Sequence, residues 1–270
     1  MSRLAQRFAE SKRAGRTALV PYITAGDPDK SASVPLMHAL VEAGADVLEL
    51  GVPFSDPTAD GAVIQQACER ALKHGTTLAD VLAMVREFRA QDARTPVVLM
   101  GYLNPLEAFG LKAFVTAAAE AGVDGVLTVD MPPEEAEPLA GLLRARGLDP
   151  VFLLAPTTDA ARLKRICETA AGFVYYVSLK GVTGAANLDV AAVRRRLESV
   201  RRTTRLPVGV GFGVRDAHTA AQLAGMADAV VVGSAIVGRI AEFQSQRRDM
   251  LTKVGAFVRE LRQAMDAARA

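Results

Sequence analysis

Eight short runs of mainly β-branched and apolar residues recur along this 270-residue chain, each bounded by glycine, proline or aspartate. Between them, apolar residues recur at i, i+3, i+4 and i+7, which is the spacing of amphipathic helices. This alternation predicts a parallel sheet with crossover helices, and eight repeats predict a closed (β/α)₈ TIM barrel of the α/β class. The predicted strands are 18–24, 46–52, 97–102, 125–130, 150–155, 173–178, 208–213 and 229–233.

No linker or low-complexity segment interrupts this order, so we predict a single barrel domain over residues 1–270, with an extra helix near the N-terminus. The other predicted helices are 33–42, 77–91, 106–121, 134–146, 159–170 and 216–224. A repeated glycine just before an aspartate supports the count, because each such glycine is predicted to end a helix in the left-handed conformation. These glycines are Gly44, Gly122, Gly147 and Gly225.

The charge balance and the lack of long apolar stretches limit the partners of the chain. It has 32 basic and 30 acidic residues, and this near balance argues against binding to nucleic acid or to a membrane surface. Residues 1–16 lack the continuous apolar stretch of a signal peptide, and no later run has the length of a membrane span. We therefore expect a cytoplasmic protein.

The cysteines and histidines predict neither a disulfide framework nor a metal site. Cys68 and Cys167 stand apart in helical patterns, and the three histidines fall in helical segments away from strand ends. Zinc sites and His-based triads require such residues in close groups. Lys180 is the one lysine near a strand end, which leaves Schiff-base chemistry open.

An acidic residue, Glu49, lies inside the second predicted strand among apolar neighbours. Strand alternation places Val47 and Glu49 on one face and Leu48 and Leu50 on the other, so Glu49 points into the barrel if the leucines face the helices. Burying an ionised carboxylate costs several kcal/mol, roughly, unless it is partnered. An acid/base catalyst with a raised pKa is therefore favoured over a buried salt bridge.

The loop after this strand contains Asp56 and Asp60. Asp60-Gly61 alone is typical of a turn or a helix N-cap. Next to Glu49, however, one buried and one wetter carboxyl can separate their pKa values and divide acid and base work. The barrel fold collects catalytic groups at the C-terminal ends of strands, where this loop is expected.

The last two predicted strands end in glycines, which favours a phosphate site. Gly211-Phe-Gly213 and Gly233-Ser234 leave backbone N–H groups accessible to an anion, and a short helix is expected to begin near Ser234. Glycines that only terminate strands are the alternative. Gly181-Val-Thr-Gly184, after the sixth strand, has the composition of a hinged lid or of an ordinary mobile loop.

Together these motifs resemble one family. The run LELGVPFSDP at residues 48–57, with Ala59-Asp60-Gly61, is similar to the active-site strand and loop of tryptophan synthase alpha subunits. The similarity extends to PYITAGDP at residues 21–28, Gly181 to Gly184, Gly211 to Gly213 and Gly233 to Ile236, in order and at matching spacing.

The resemblance implies retro-aldol cleavage of indole-3-glycerol phosphate to indole and glyceraldehyde 3-phosphate. It implies that Glu49 moves the proton between the hydroxyl and indole C3, that Asp60 stabilises charge at the indole nitrogen, and that Tyr175 is an active-site residue. The implied indole slot comprises Tyr22, Met100, Leu127 and Phe212, and Thr183 would bond an active-site carboxylate. The implied phosphate contacts are Gly184, Gly213, Gly233 and Ser234.

The resemblance also implies a heterotetramer with a pyridoxal-phosphate beta subunit that consumes the indole, and no cofactor in this chain. We expect the docking surface at Pro53, Phe54 and Asp56 with Asn104 and Pro105 on the third loop, unless Phe54 caps the barrel instead. Two features depart from the family pattern: Tyr22 replaces a common Phe, and Leu179-Lys180 replaces an Arg and a small polar residue. A Schiff-base aldolase and a partner-binding regulator remain the alternatives.

Overall fold

The computed structural model describes residues 2–177, 190–211 and 213–269. Within these residues, eight parallel strands pair in chain order and close into a barrel, because β8 also pairs with β1. The predicted fold class is confirmed. The strands are β1 (Ala18–Thr24), β2 (Leu48–Gly51), β3 (Val97–Gly101), β4 (Gly125–Thr128), β5 (Asp149–Leu154), β6 (Val174–Val177), β7 (Val208–Gly211) and β8 (Ala229–Val232).

Helices cover the outside of the barrel, and among the described residues none is long and apolar enough to cross a membrane. The helices are α1 (Arg3–Arg13), α2 (Ser33–Glu42), α3 (Ala62–Lys73), α4 (Leu78–Arg89), α5 (Leu103–Phe109), α6 (Leu111–Ala121), α7 (Glu137–Ala145), α8 (Ala160–Thr169), α9 (Val190–Thr203), α10 (Ala217–Ala224), α11 (Ser234–Glu242) and α12 (Arg247–Ala267).

The predicted continuous helix over 106–121 is wrong. Gly110, at φ 87°, separates α5 from α6. A positive φ is incompatible with an α-helix, and glycine adopts it without steric cost. The extra N-terminal helix is confirmed as α1, which packs Leu4 and Phe8 into the inner core, with the Phe8 ring 5.5 Å from the ring of Phe173.

Strand alternation divides the core into two layers. On β2 and just before it, Val47 belongs to the layer inside the barrel, while Leu48 and Leu50 belong to the layer between strands and helices. On β6, Tyr175 lies in the inner layer and Tyr176 in the outer one. The predicted facing of β2 is therefore confirmed, and β6 alternates in the same way.

Three of the four repeated glycines adopt the left-handed conformation, with φ of 104° at Gly44, 86° at Gly122 and 73° at Gly147. The same expectation is wrong for Gly225, whose φ is −70°. Its repeat is one residue longer, Gly225-Met-Ala-Asp228, so the turn back to the strand is spread over more residues.

Three aspartates of this repeat join neighbouring strands by reciprocal hydrogen bonds at the N-terminal end of the barrel. The Asp124 N–H donates to the Val97 carbonyl oxygen at 2.9 Å, and the Val97 N–H donates to Asp124 Oδ2 at 2.8 Å. Two further junctions repeat this reciprocal pair. They are Asp46 with Leu19 and Asp228 with Val208.

Candidate active site

Glu49 lies on the inner face of β2 and is 1% exposed. Its Oε1 is buried, and no described residue forms a hydrogen bond with it. Burial raises the pKa of the Glu49 carboxyl from 4.5 to about 8, and the negative charge of Asp60 adds to this shift. Since no described cation pairs with Glu49, the geometry supports the acid/base interpretation over a buried salt bridge.

Asp60 is half-buried in the loop between β2 and α3, close enough to Glu49 to raise its pKa. Burial raises the pKa of Asp60 itself, while a hydrogen bond from the Tyr102 hydroxyl to Asp60 Oδ2, 2.9 Å long, lowers it. Gly61 of the Asp60-Gly61 pair is the N-cap of α3, while the Asp60 side chain accepts its hydrogen bond from Tyr102. The two carboxyls differ in environment, as their proposed division of labour requires.

Hydrogen bonds from two directions hold the backbone around Asp60. The Tyr102 hydroxyl accepts the Ala59 N–H at 2.9 Å, and Gln65 on α3 donates from Nε2 to the Asp60 carbonyl oxygen, also at 2.9 Å. The ring of Phe54, earlier in the loop, lies 5.2 Å from the ring of Tyr102. The loop is thereby fixed both to the end of β3 and to α3.

A cavity of about 410 Å³ opens at the C-terminal ends of β3 to β6. Asp60, Met100 and Tyr175 line it, while Glu49 is not among its lining residues. Leu127, expected in the indole slot, is 1% exposed in the inner layer. Val129, two residues later and just past the end of β4, packs against the same inner layer and lines the cavity. The other lining residues are Ala59, Thr128, Met131, Pro133, Phe152, Leu153, Leu154, Ala155, Thr157, Thr158, Arg162, Ile166 and Val177.

Two inner tyrosines each lie over a glycine of the next strand. A Cβ on Gly51 would come within 2.1 Å of the Tyr22 hydroxyl, and one on Gly211 within 2.2 Å of the Tyr175 hydroxyl. The hydroxyls of Tyr22 and Thr24 are hydrogen-bonded at 3.2 Å, so the polar group that Tyr22 adds to the slot is satisfied. Burial raises the pKa of both tyrosines well above 10, so their hydroxyls are neutral donors.

Three of the four predicted phosphate residues, Gly213, Gly233 and Ser234, are described and follow β7 and β8. Gly213 is exposed at φ 80°, and Gly233 precedes α11, which begins at the exposed Ser234. The expected short helix is thus confirmed. The first-turn N–H groups of a helix have no acceptor within it and can bind an anion. Gly233 also lies beside Tyr22, but neither glycine nor Ser234 lines the cavity described above.

The sequence family is decided by a family model described as Tryptophan synthase alpha chain, which matches residues 8–266. The chain belongs to this family. The tryptophan synthase alpha chain of Thioalkalivibrio sulfidiphilus (strain HL-EbGR7) is 62% identical over 266 residues, which cover 98% of this chain and all of the relative.

Solved structures agree with this membership. The tryptophan synthase subunit alpha from Legionella pneumophila str. Paris superposes with a TM-score of 0.92 at 44% identity, over 99% of each chain. A chain of tryptophan synthase from Mycobacterium tuberculosis gives a TM-score of 0.89 at 39% identity, over 98% of each chain. The similarity to alpha chains that the motifs indicated therefore holds for the fold of nearly the whole chain.

Some residues that the alpha-chain resemblance predicted lie outside the described residues. They are Thr183, Gly184 and Phe212, together with the departure Leu179-Lys180. The five predicted docking residues all lie within the described residues, but not all of them are exposed. Asp56 and Asn104 are exposed, whereas Pro53 is buried and Phe54, expected to be exposed, is half-buried against Tyr102.

Asn104 and the half-buried Pro105 belong to α5, not to an irregular loop as expected. Helix α5 starts directly after β3 because Tyr102 has extended backbone angles and acts as its N-cap. The five docking residues nevertheless share one end of the barrel, since both segments follow the C-terminal ends of adjacent strands.

Sequence reasoning missed Tyr102, which contacts both Asp60 and Phe54. A usable signal existed, because Tyr102 is the last residue of the predicted third strand, where this fold collects functional groups. Among the described residues, no group of three or more His, Cys, Asp or Glu side chains is arranged to bind a metal ion.

Proposed function

We propose that this chain cleaves indole-3-glycerol phosphate to indole and glyceraldehyde 3-phosphate, the alpha reaction of tryptophan synthase, in L-tryptophan biosynthesis. Membership of the alpha-chain family supports this function. The observation that supports it most directly is the buried Glu49 carboxyl, whose pKa is raised to about 8 within electrostatic reach of Asp60. At neutral pH such a carboxyl holds a proton that it can donate.

The reaction needs one proton at indole C3 and the removal of another from the side-chain hydroxyl. We propose that Glu49 donates its proton to C3, which places positive charge on the indole nitrogen. The carbon–carbon bond then breaks, its electrons restore the indole ring, and the hydroxyl carbon becomes an aldehyde as its proton passes to Glu49. The carboxyl ends protonated, as it began.

Asp60 would be ionised during this cycle and stabilise the cationic ring nitrogen. Burial strengthens that interaction because water screens it less. Tyr22, Met100, Leu127 and Phe212 are the proposed indole contacts. Tyr175, which interacts electrostatically with both carboxyls, is the proposed third active-site residue, and Thr183 is the proposed hydrogen-bond partner of an active-site carboxylate. The proposed phosphate contacts are Gly184, Gly213, Gly233 and Ser234.

We assign no cofactor to this chain, because two carboxyls suffice for the proposed proton transfers. The proposed partner is the pyridoxal-phosphate beta subunit in an α2β2 assembly, which consumes the indole. Docking is assigned to the exposed Asp56 and Asn104, together with the buried Pro53 and the half-buried Phe54 and Pro105 of the same two segments.

Indole release from indole-3-glycerol phosphate by the full chain tests this function. Removing a general acid/base costs about 10²–10⁴-fold in rate, so Glu49→Gln should lower kcat by that factor and Asp60→Asn should also lower it. The control Glu87→Gln, on the exposed face of α4, should match the wild type. Borohydride trapping of substrate on Lys180, with an active Glu49→Gln variant, would instead identify a Schiff-base aldolase.

A further inference from the structure

Tyr102 stands between Asp60 and the segment assigned to partner docking. It directly follows β3 and is 4% exposed. Its hydroxyl donates to Asp60 Oδ2 and accepts the Ala59 N–H, both at 2.9 Å. Its ring faces the ring of Phe54, with centroids 5.2 Å apart and planes inclined by 33°.

We propose that Tyr102 is the positioning residue for Asp60, and that its packing on Phe54 links the place of this carboxylate to the docking loop. This inference rests on the proposed function, since it assigns Tyr102 a role in the same reaction.

The Tyr102 hydroxyl can hold the Asp60 carboxylate in one position, because the buried Tyr102 ring is itself restrained by its packing. Asp60 lies in a loop, where a carboxylate could otherwise rotate about its side-chain bonds. Among the described residues, Tyr102 is the one side chain that hydrogen-bonds to this carboxylate. The second bond, from the Ala59 N–H, fixes the backbone next to it. One hydroxyl thus sets both the position and the direction of the Asp60 side chain.

Phe54 is the contact through which the docking loop can reach this hydroxyl. Its ring is half-buried and contacts Tyr102, while Asp56, two residues later, is exposed. A displacement of Phe54 removes packing from one face of the Tyr102 ring or presses on it, and either change shifts the favoured position of this ring. The distance from Tyr102 to Asp60 would change with it.

The pH dependence of catalysis can report on this contact. The hydrogen bond from Tyr102 lowers the pKa of Asp60, so its loss raises that pKa. Below neutral pH, the described groups that interact with Asp60 are mainly protonated and therefore uncharged. They are Glu49 from β2, Tyr22 from β1, Tyr102 after β3, Tyr175 from β6 and Cys68 from α3. The acid limb of kcat/KM therefore reports Asp60, and the alkaline limb near pH 8 reports Glu49.

The decisive variant is Tyr102→Phe, which removes the hydroxyl and keeps the ring. A hydrogen bond to a charged group corresponds to about ten- to a hundredfold, so kcat for indole release should fall by that factor. The acid limb should move to higher pH, while the alkaline limb stays in place. The control Tyr176→Phe, which removes a buried hydroxyl from the outer layer, should keep both limbs and stay within about twofold of wild-type kcat.

Phe54→Leu tests the second half of the proposal. It should move the acid limb in the same direction, and the double variant Phe54→Leu/Tyr102→Phe should show no further shift, because the effect acts through the hydroxyl. A wild-type chain that releases indole while Tyr102→Phe keeps the wild-type acid limb would overturn the role of Tyr102. If the double variant shows an acid limb shifted further than in Tyr102→Phe alone, the effect of Phe54 does not act through the Tyr102 hydroxyl, and the link to the loop is overturned. A wild-type chain that releases no indole would contradict the proposed function itself.

Discussion

At the scale of single residues, Glu49 lowers the stability of the folded chain whenever its carboxyl is ionised. It is 1% exposed, and no described residue hydrogen-bonds to its Oε1. Burial raises its pKa from 4.5 to about 8, so between these values the folded chain binds a proton that the unfolded chain releases. The free energy of unfolding therefore decreases as pH rises through this window.

Glu49→Gln should accordingly be more stable than the wild type, by a margin that grows with pH. We expect similar urea midpoints at pH 4.5 and a difference on the order of a few kcal/mol in the free energy of unfolding at pH 9. Urea unfolding at pH 4.5, 7 and 9 measures this, with the exposed Glu87→Gln as control. If the difference in the free energy of unfolding between variant and wild type stays constant across these pH values, the pKa of Glu49 is not raised by folding.

At the scale of elements, the glycines that end helices before β strands have different conformational requirements despite their shared sequence context. Gly147 has a φ of 73°, and Gly225 has a φ of −70°. A Cβ added at either position would meet no atom within 4 Å. The backbone conformation alone therefore decides the effect of a substitution.

Gly147→Ala should lower the free energy of unfolding by about 1 kcal/mol or more, because a left-handed conformation is strained for alanine. Gly225→Ala should raise it by roughly 0.4–1 kcal/mol, because alanine restricts the unfolded chain and fits the right-handed conformation. Urea denaturation of both variants makes the comparison, each serving as the control for the other. Equal changes in the two variants would contradict the assigned conformations.

At the scale of the whole molecule, the two ends of the barrel have different tasks. The N-terminal end is closed by α1 and locked by reciprocal aspartate pairs such as Asp124 with Val97. The C-terminal end has the cavity, Asp60 and the loops that follow β2 and β3. These stabilising contacts lie opposite the cavity, so the C-terminal end is available for the substrate and a partner.

The docking proposal predicts that Asp56→Ala weakens binding of the beta subunit by about tenfold or more, because an interfacial charge loses its partner. Isothermal titration calorimetry with the beta subunit measures the affinity. The control Glu260→Ala removes an exposed acid from α12 and should bind like the wild type. Unchanged affinity in Asp56→Ala would place the interface elsewhere.

Much of the fold was predictable because its signals are local. The seven-residue run of β1 and the ten-residue helix α2 match their predicted bounds, and alternation along β2 correctly turned Glu49 inward. The continuous helix over 106–121 failed because apolar spacing does not reveal a glycine at positive φ. The predicted left-handed conformation of Gly225 was wrong because its repeat has one extra residue before the aspartate, which changes the geometry of the turn.

The sequence by itself determined the number, order and approximate positions of the strands, the inward face of β2 and the burial of Glu49, since each follows from a short-range period. Only the tertiary structure decided how deep a residue lies and what it meets. Leu127 lies beneath the cavity and Val129 lines it because two residues along a strand advance the chain by about 6.6 Å toward the C-terminal end of the barrel. Tyr102 reaches Asp60 across 42 residues of chain because β2 and β3 pair side by side, which brings the segments after their C-terminal ends together.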